Sequence, residues 1–173
     1  MTSHCRKNNW SSNLESSLNQ QINMELYASH VYLALSAYFK SDSIEYPGMV
    51  KFFKDNSNEE REHADKFIEY QNIRGGMVIL DGIQRPNFNF NSNTESILLQ
   101  AMKYTLELEQ LVYENILNIS RNSDMDPAFS DYLDEFLKEQ LESQYNIGRL
   151  IKQLEHIGND GYGLWSFDQN LFK

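Results

Sequence analysis

A glutamate and a histidine three residues apart, Glu60 and His63, occupy a stripe that a bundle helix would normally fill with apolar side chains. The same stripe is apolar further out, at Met49, Phe53 and Phe67. A helix that packs in a bundle keeps its inner face apolar, and an unpaired carboxylate in a core is costly. The pattern therefore predicts that a cation binds in the core beside Glu60 and His63.

Three further stretches carry a stripe that turns polar near its middle, at Glu25, Glu109 and Gln140. Each stripe keeps the seven-residue spacing that holds one face inward in a left-handed bundle. In a bundle of four helices these residues would lie at about the level of Glu60 and His63. The alternative is a layer of polar side chains that only hydrogen-bond one another.

Carboxylates with one imidazole suit iron, manganese or zinc better than calcium. Glu25, Glu60 and His63 would hold a first metal, and Glu109 with a bridging Glu60 would hold a second beside it. Open coordination positions would remain on both, as a catalytic metal pair requires. Tyr32 lies seven residues after Glu25 on the same face. It would hydrogen-bond a ligand or donate an electron to this layer, or it is a core tyrosine with no such role.

Bundles of the di-iron carboxylate type carry a second Glu-x-x-His motif. At that place this chain has Gln140 and Ser143, which are neutral and weak ligands. The second metal would be held by fewer charges than the first. Such an uneven pair suits iron that binds, is oxidised and leaves.

The elements that position these residues are predicted to be four long helices. They run from Ser12 to about Lys40, from Pro47 to Gly75, from Ser92 to about Arg121 and from Asp126 to Gly158. Capping boxes (Ser12 with Glu15, Ser92 with Glu95) open the first and third. The long connection over 75–93 would cross the length of the bundle and make the second and third helices parallel. A short amphipathic segment over 164–172 completes the predicted fold, an all-α four-helix bundle with one crossover and a short fifth helix.

The chain of 173 residues fits one domain over 1–173, with residues 1–11 expected as a flexible tail. Its net charge of −10 disfavours nucleic-acid binding. No apolar run is long enough to span a membrane. Cys5 is the single cysteine, and the first residues lack the apolar run of an ordinary signal peptide. These features predict a reducing, cytoplasmic location.

Three motifs resemble eukaryotic ferritin of the heavy, catalytic type: residues 21–29 (QINMELYAS), residues 59–64 (EEREHA) and Arg74-Gly75-Gly76. The resemblance covers nearly the whole chain, roughly from Leu14 to Leu171. It implies oxidation of Fe(II) by dioxygen at a di-iron centre, and storage of the ferric product in a hollow homo-oligomeric shell of 24 subunits. The residues implied at the centre are Glu25, Glu60, His63, Glu109 and Gln140.

The resemblance also implies roles outside the centre. Glu59, Glu62 and Asp65 would face the cavity of the shell and relay or nucleate iron, and Asp131 and Asp134 would line a three-fold iron entrance. An ordinary solvated acidic face is the alternative for the first three. A shortened stretch in the fourth helix leaves the register of the two aspartates open. The loop over 86–95 is a few residues longer than is usual in the family.

Three other functions fit parts of the pattern. A non-catalytic shell that only nucleates mineral is disfavoured by the intact Glu25, Glu60 and His63 set. A di-iron oxygenase with an organic substrate would require the second Glu-x-x-His and an apolar access pocket. A plain helical interaction module predicts no metal binding at all.

Overall fold

The computed structural model describes residues 4, 10–123 and 126–172, and the described residues form five helices and no strand. This confirms the predicted all-α class with a short fifth helix. None of the described helices is long and apolar enough to cross a membrane. The helices are α1 (Ser12–Phe39), α2 (Pro47–Ile73), α3 (Ile97–Arg121), α4 (Pro127–Ile157) and α5 (Gly161–Phe172).

The first two helices form an antiparallel hairpin. The Ser29 hydroxyl donates to the carbonyl of Ser57 at 2.6 Å, and the Ser36 hydroxyl donates to the carbonyl of Val50 at 3.0 Å. Residue numbers rise along α1 as they fall along α2. The short connection between them, over 40–46, is the length typical of adjacent antiparallel helices.

The third helix is also antiparallel to α1 and is therefore parallel to α2. Two hydrogen bonds fix this direction, one between Gln21 and Asn115 and one between Tyr32 and Glu109. A parallel neighbour needs a connection as long as the helices themselves, which residues 74–96 provide. The predicted single crossover is thus present.

The crossover is held on α1 by a ladder of three side chains, Glu15, Asn19 and Asn23, each four residues apart. They bond backbone groups of every second crossover residue, at 2.8–3.0 Å: Met77, Ile79 and Asp81. A spacing of four residues in a helix matches a spacing of two in an extended chain closely enough for this pairing. The ladder supplies hydrogen-bond partners for backbone groups that would otherwise lack them, because this extended segment lies outside any sheet.

The capping boxes predicted for α1 and α3 are wrong by one and four residues. The N-caps are Ser11 and Ser96, whose hydroxyls accept from the backbone N–H three residues later at 3.2 Å. Only the residue at the actual start of the helix can place its oxygen there. Residues 92–95 instead form a turn, and Glu95 bonds Lys103 at 2.6 Å.

The second helix receives its N-terminal cap from the far end of the chain. Met49 donates its backbone N–H to the buried carboxylate of Asp168 in α5 at 2.8 Å. The preceding residue is Gly48, and a Cβ there would lie only 1.9 Å from the backbone oxygen of Asp168. The glycine therefore permits the close approach that docks α5 onto the start of α2.

The predicted flexible tail is too long at its end, because Trp10 is part of the bundle. Its side chain is 2% exposed, packs edge-on against Phe129 and lies 4.5 Å from the guanidinium of Arg74. His4 is exposed, and the other residues of the predicted tail before Trp10 lie outside the described residues. Trp10 belongs to a group of aromatic rings in contact, here called the aromatic end: Trp10, Phe67, Tyr70, Phe129, Tyr132 and Phe136.

Candidate metal centre

The polar residues predicted for one layer are all buried in the middle of the bundle. Each of the four long helices contributes, and no member is more than 4% exposed: Glu25 from α1, Glu60 and His63 from α2, Glu109 from α3 and Gln140 from α4. Possible ligand atoms of Glu25, Glu60 and His63 lie within 4.8 Å of one another. The four helices thus bring together the residues that the stripe pattern singled out.

The pair on α2 is preorganised by its own helix. Glu60 and His63 are one turn apart on the same face, and Nδ1 of His63 lies 3.3 Å from Oε2 of Glu60. The Phe136 ring lies nearly perpendicular to the imidazole, with ring centroids 5.6 Å apart. The imidazole is therefore held between a carboxylate and an apolar wall.

Several polar atoms in this layer have no hydrogen-bond partner among the described residues. They are Oε2 of Glu25, Nε2 of His63, Oε2 of Glu109 and Oε1 of Gln140. Buried polar groups are usually paired, and each exception requires an explanation. Four of them in one buried layer fit a bound cation, since oxygen and imidazole nitrogen atoms are the ligands that iron accepts.

Burial and mutual repulsion raise the pKa values of the carboxylates. The pKa of Glu60 rises to about 8, mainly because burial disfavours its charged form and also because Glu109 is near. The pKa of Glu25 is raised well above its ordinary value by burial and by the charge of Glu60, and burial raises the pKa of Glu109 as well. A bound cation would compensate the same charges.

Tyr32 is fully buried, and its hydroxyl donates a hydrogen bond to Oε1 of Glu109. Burial and the neighbouring charge of Glu109 raise the pKa of this phenol well above its ordinary value. The hydrogen bond leaves the other carboxylate oxygen of Glu109 without a partner. The role of Tyr32 as an electron donor stays a prediction.

A cavity of about 280 Å³ opens from this layer to the surface. Among the described residues that line it, none is a lysine or an arginine, and three glutamates surround its mouth: Glu59, Glu139 and Glu142. Oε2 of Glu139 lies 3.4 Å from Nε2 of His63, and ligand atoms of Glu59, His63 and Glu139 lie within 4.8 Å of one another. His63 therefore links the buried group of carboxylates to a more exposed one.

The sequence-based prediction missed Glu139 and Glu142. Both are exposed glutamates on α4, and the stripe pattern detects only polar residues on an inner face. The position of Glu139 directly before Gln140 was the one available signal. Of the residues predicted for iron transit, Glu59 lies at the mouth of the cavity.

The other four predicted transit residues are exposed and stand apart from the centre: Glu62, Asp65, Asp131 and Asp134. None of them belongs to a group of possible metal ligands within the described residues. Their assignment to a shell cavity and an entrance stays a prediction.

Comparison with known proteins agrees with this geometry. Residues 15–157 match the model of the ferritin-like domain family. Over 95% of its length the chain is 44% identical to a chloroplastic ferritin of Malus baccata var. xiaojinensis and to chloroplastic ferritin-2 of Glycine max. It is 43% identical over 92% of its length to chloroplastic ferritin-2 of Zea mays. The chain belongs to the ferritin family.

Family membership confirms the predicted resemblance and, with it, iron storage as the class of function. The chain spans about two thirds of the length of these relatives, covering 67%, 65% and 64% of them. The predicted cytoplasmic location is wrong by this comparison, because the similar relatives are named as chloroplastic proteins. The missing apolar run of a signal peptide and the single cysteine could not distinguish a plastid from the cytoplasm, because both features fit either location.

Proposed function

We propose that this protein oxidises Fe(II) with dioxygen at the buried centre and stores the ferric product as a mineral inside a multisubunit shell. One observation carries the proposal. Unpaired ligand atoms of two carboxylates, an imidazole and an amide lie in one buried layer (Glu25, His63, Glu109 and Gln140), and the cavity beside this layer has no lysine or arginine among the described residues that line it. Each Fe(II) would give up one electron, and dioxygen would accept the electrons.

The residues of the chain would act in turn on the iron. The glutamates at the mouth of the cavity would attract Fe(II), because an acidic rim concentrates cations. Glu25, Glu60 and His63 would hold the first ion, while Glu60, Glu109 and Gln140 would hold the second. Because Gln140 adds no charge, the second ion would be held more weakly and released after oxidation.

The composition of the cavity supports iron rather than an organic molecule as the substrate. Its lining is dominated by carboxylates and amides, and its apolar members among the described residues are Phe52 and Ile147. Pockets for organic ligands are mostly apolar with only a few polar groups. An oxygenase for an apolar substrate would need a different lining.

The decisive experiment is aerobic addition of Fe(II) to the metal-free protein, with ferric absorbance and particle size recorded together. The parent should oxidise iron in a rapid phase and elute as a shell of 24 chains. The variant Glu60→Leu/His63→Leu should lose the rapid phase and keep the particle size. Asp55→Ala, which removes an exposed carboxylate from α2, is the control and should oxidise iron normally. A rapid phase that survives in the double variant would contradict the proposal.

Entry of iron through an acidic opening is a separate part of the proposal. Asp131 and Asp134 would line that opening, so the variant Asp131→Asn/Asp134→Asn should slow iron uptake a few-fold at low salt. The difference should disappear at high salt, because screening removes steering by charge. Equal uptake at low salt would place these residues elsewhere.

A further inference from the structure

A buried amide beside the centre is not among the predicted ligands. Gln21 lies one helical turn before Glu25, is 0% exposed, and donates its Nε2–H to Oε1 of Glu25 at 2.6 Å. Residues four apart on a helix are neighbours on one face. The amide is therefore within contact of a predicted iron ligand, although its own sequence position carries no metal-binding signal.

A second amide fixes the orientation of the first. Asn115, on α3, donates its Nδ2–H to Oε1 of Gln21. With the amide oxygen engaged by Asn115, the nitrogen of Gln21 faces Glu25. Oε1 of Glu25 accepts hydrogen bonds, so this orientation pairs that oxygen with an amide donor. The chain of donors runs from α3 through Gln21 to the carboxylate.

The amide divides the two oxygens of Glu25 between two tasks. Oε1 is occupied by the hydrogen bond from Gln21, and Oε2 has no hydrogen-bond partner. We propose that Gln21 is a positioning residue that presents Oε2 of Glu25 to the metal, and that Asn115 holds Gln21 in the orientation required. This inference rests on the proposed metal centre and assigns residues that make no contact with the reacting atoms.

Gln71 provides a matched comparison within the same chain. It is also 0% exposed, and its Nε2–H donates across the bundle to the backbone oxygen of Glu15 at 2.8 Å. This amide links α2 to α1 and contacts none of the predicted ligands. Removal of Gln71 therefore costs stability in the way that removal of Gln21 does, without reaching the metal.

The test compares Gln21→Met with Gln71→Met in the full chain. Methionine is close to glutamine in size and donates no hydrogen bond. Zinc binding would be measured by calorimetry, and the visible spectrum of bound cobalt would report ligand geometry. Loss of a hydrogen bond to a metal ligand typically weakens metal binding about 10- to 100-fold. We expect zinc binding at least about 10-fold weaker and an altered cobalt spectrum in Gln21→Met, and neither change in Gln71→Met.

A double-mutant cycle tests whether Asn115 acts through Gln21. Asn115→Leu leaves the contact between Gln21 and Glu25 possible and should weaken zinc binding by a smaller factor. In the Gln21→Met background the same change should have no further effect, since the coupling is carried by the amide. Asn115 is only partly buried, so this variant keeps the inference testable if Gln21→Met does not fold.

The possible failures can be told apart. Parental zinc affinity and cobalt spectrum in Gln21→Met, or in Asn115→Leu if only that variant folds, would overturn the positioning role and leave the centre intact. Equal effects of Asn115→Leu in both backgrounds would overturn the role of Asn115. A parent protein that binds neither metal would overturn the proposed function itself.

Discussion

Two levels of the bundle bury groups of charged side chains, and among the described residues only one of these two contains an arginine paired with a carboxylate. At the aromatic end, Arg74 forms a buried ion pair with Asp126, and its guanidinium also donates to the hydroxyl of Tyr70 at 2.9 Å. Asp126 in turn caps α4. Each charge there has a partner of opposite sign or a hydrogen bond, as a buried charge in a stable core requires.

The carboxylates in the middle of the bundle form no ion pair with a lysine or arginine among the described residues. Glu25, Glu60 and Glu109 lie together with one imidazole, and several of their atoms have no hydrogen bond. An ion pair whose two groups satisfy each other stabilises the fold. A group of carboxylates without such partners is suited instead to bind a cation from solution. The two levels therefore separate a structural use of buried charge from the ligand-binding use that we propose.

The largest expected effect comes from removing the arginine of the buried ion pair. Arg74→Met leaves the carboxylate of Asp126 buried without its cation, which typically costs about 3–5 kcal/mol. Unfolding of the metal-free protein in guanidinium chloride, at a fixed protein concentration, would measure this loss of unfolding free energy. Zinc affinity at the centre should be unchanged. Arg121→Met, at an exposed position, is the control and should alter stability by less than about 0.5 kcal/mol.

The second effect has the opposite sign and concerns the unpaired level. Replacement of buried charged groups by apolar residues of similar volume is often neutral or stabilising by about 1–4 kcal/mol. The metal-free variant Glu60→Leu/His63→Leu should therefore unfold at the same or a higher denaturant concentration than the parent. Loss of more than about 2 kcal/mol in this variant would show that the polar layer holds the fold together, as Arg74 and Asp126 do.

The third effect depends on pH. The pKa of Glu60 rises from an ordinary 4.5 to about 8 in the folded chain. A group whose folded pKa is raised contributes stability at low pH and loses it as pH rises through the folded value. The metal-free protein should lose on the order of 1–2 kcal/mol between pH 6 and 8. Thermal unfolding of the parent beside Glu60→Gln, whose amide does not ionise, would reveal this difference.

The same pH experiment with zinc sharpens the comparison. The metal favours the ionised carboxylates, so zinc should stabilise the parent more at pH 8 than at pH 6. A zinc effect that is larger at pH 6 would contradict the assignment of Glu60 as a ligand.

The smallest effect addresses the uneven charge within the centre. Gln140→Glu adds a carboxylate beside Glu109 on the weaker side, so the second zinc ion should bind roughly 10-fold more tightly. Tighter binding should slow release of oxidised iron and depress later turnovers more than the first. Two equal zinc sites in the parent, or faster sustained turnover in the variant, would contradict the uneven centre.

The centre could be predicted because burial and charge conflict within its stripes. Glu25, Glu60, His63 and Glu109 interrupt apolar faces, and a single sequence displays that conflict directly. The starts of α2 and α4 were equally accessible, since Pro47 and Pro127 favour the first turn of a helix.

Contacts between distant segments could not be predicted in the same way. Neighbouring serines offered several possible caps for α1 and α3, and the path of the chain selected Ser11 and Ser96. Asp168 caps a helix that begins 121 residues earlier, a relation that no local pattern encodes. Glu139 resembles other exposed glutamates until the bundle brings it to His63.

The ladder of Glu15, Asn19 and Asn23 limits where the crossover can change length. Four helical residues advance about 6.0 Å and two extended residues advance about 6.6 Å. Each successive side chain, or rung, of the ladder therefore adds a mismatch of roughly 0.6 Å between helix and crossover. An insertion of one residue inside 77–81 would turn the backbone groups that follow it away from α1 and toward the opposite side. The loop over 86–95, predicted to be a few residues longer than is usual in the family, lies beyond the last rung, where added length leaves the ladder undisturbed.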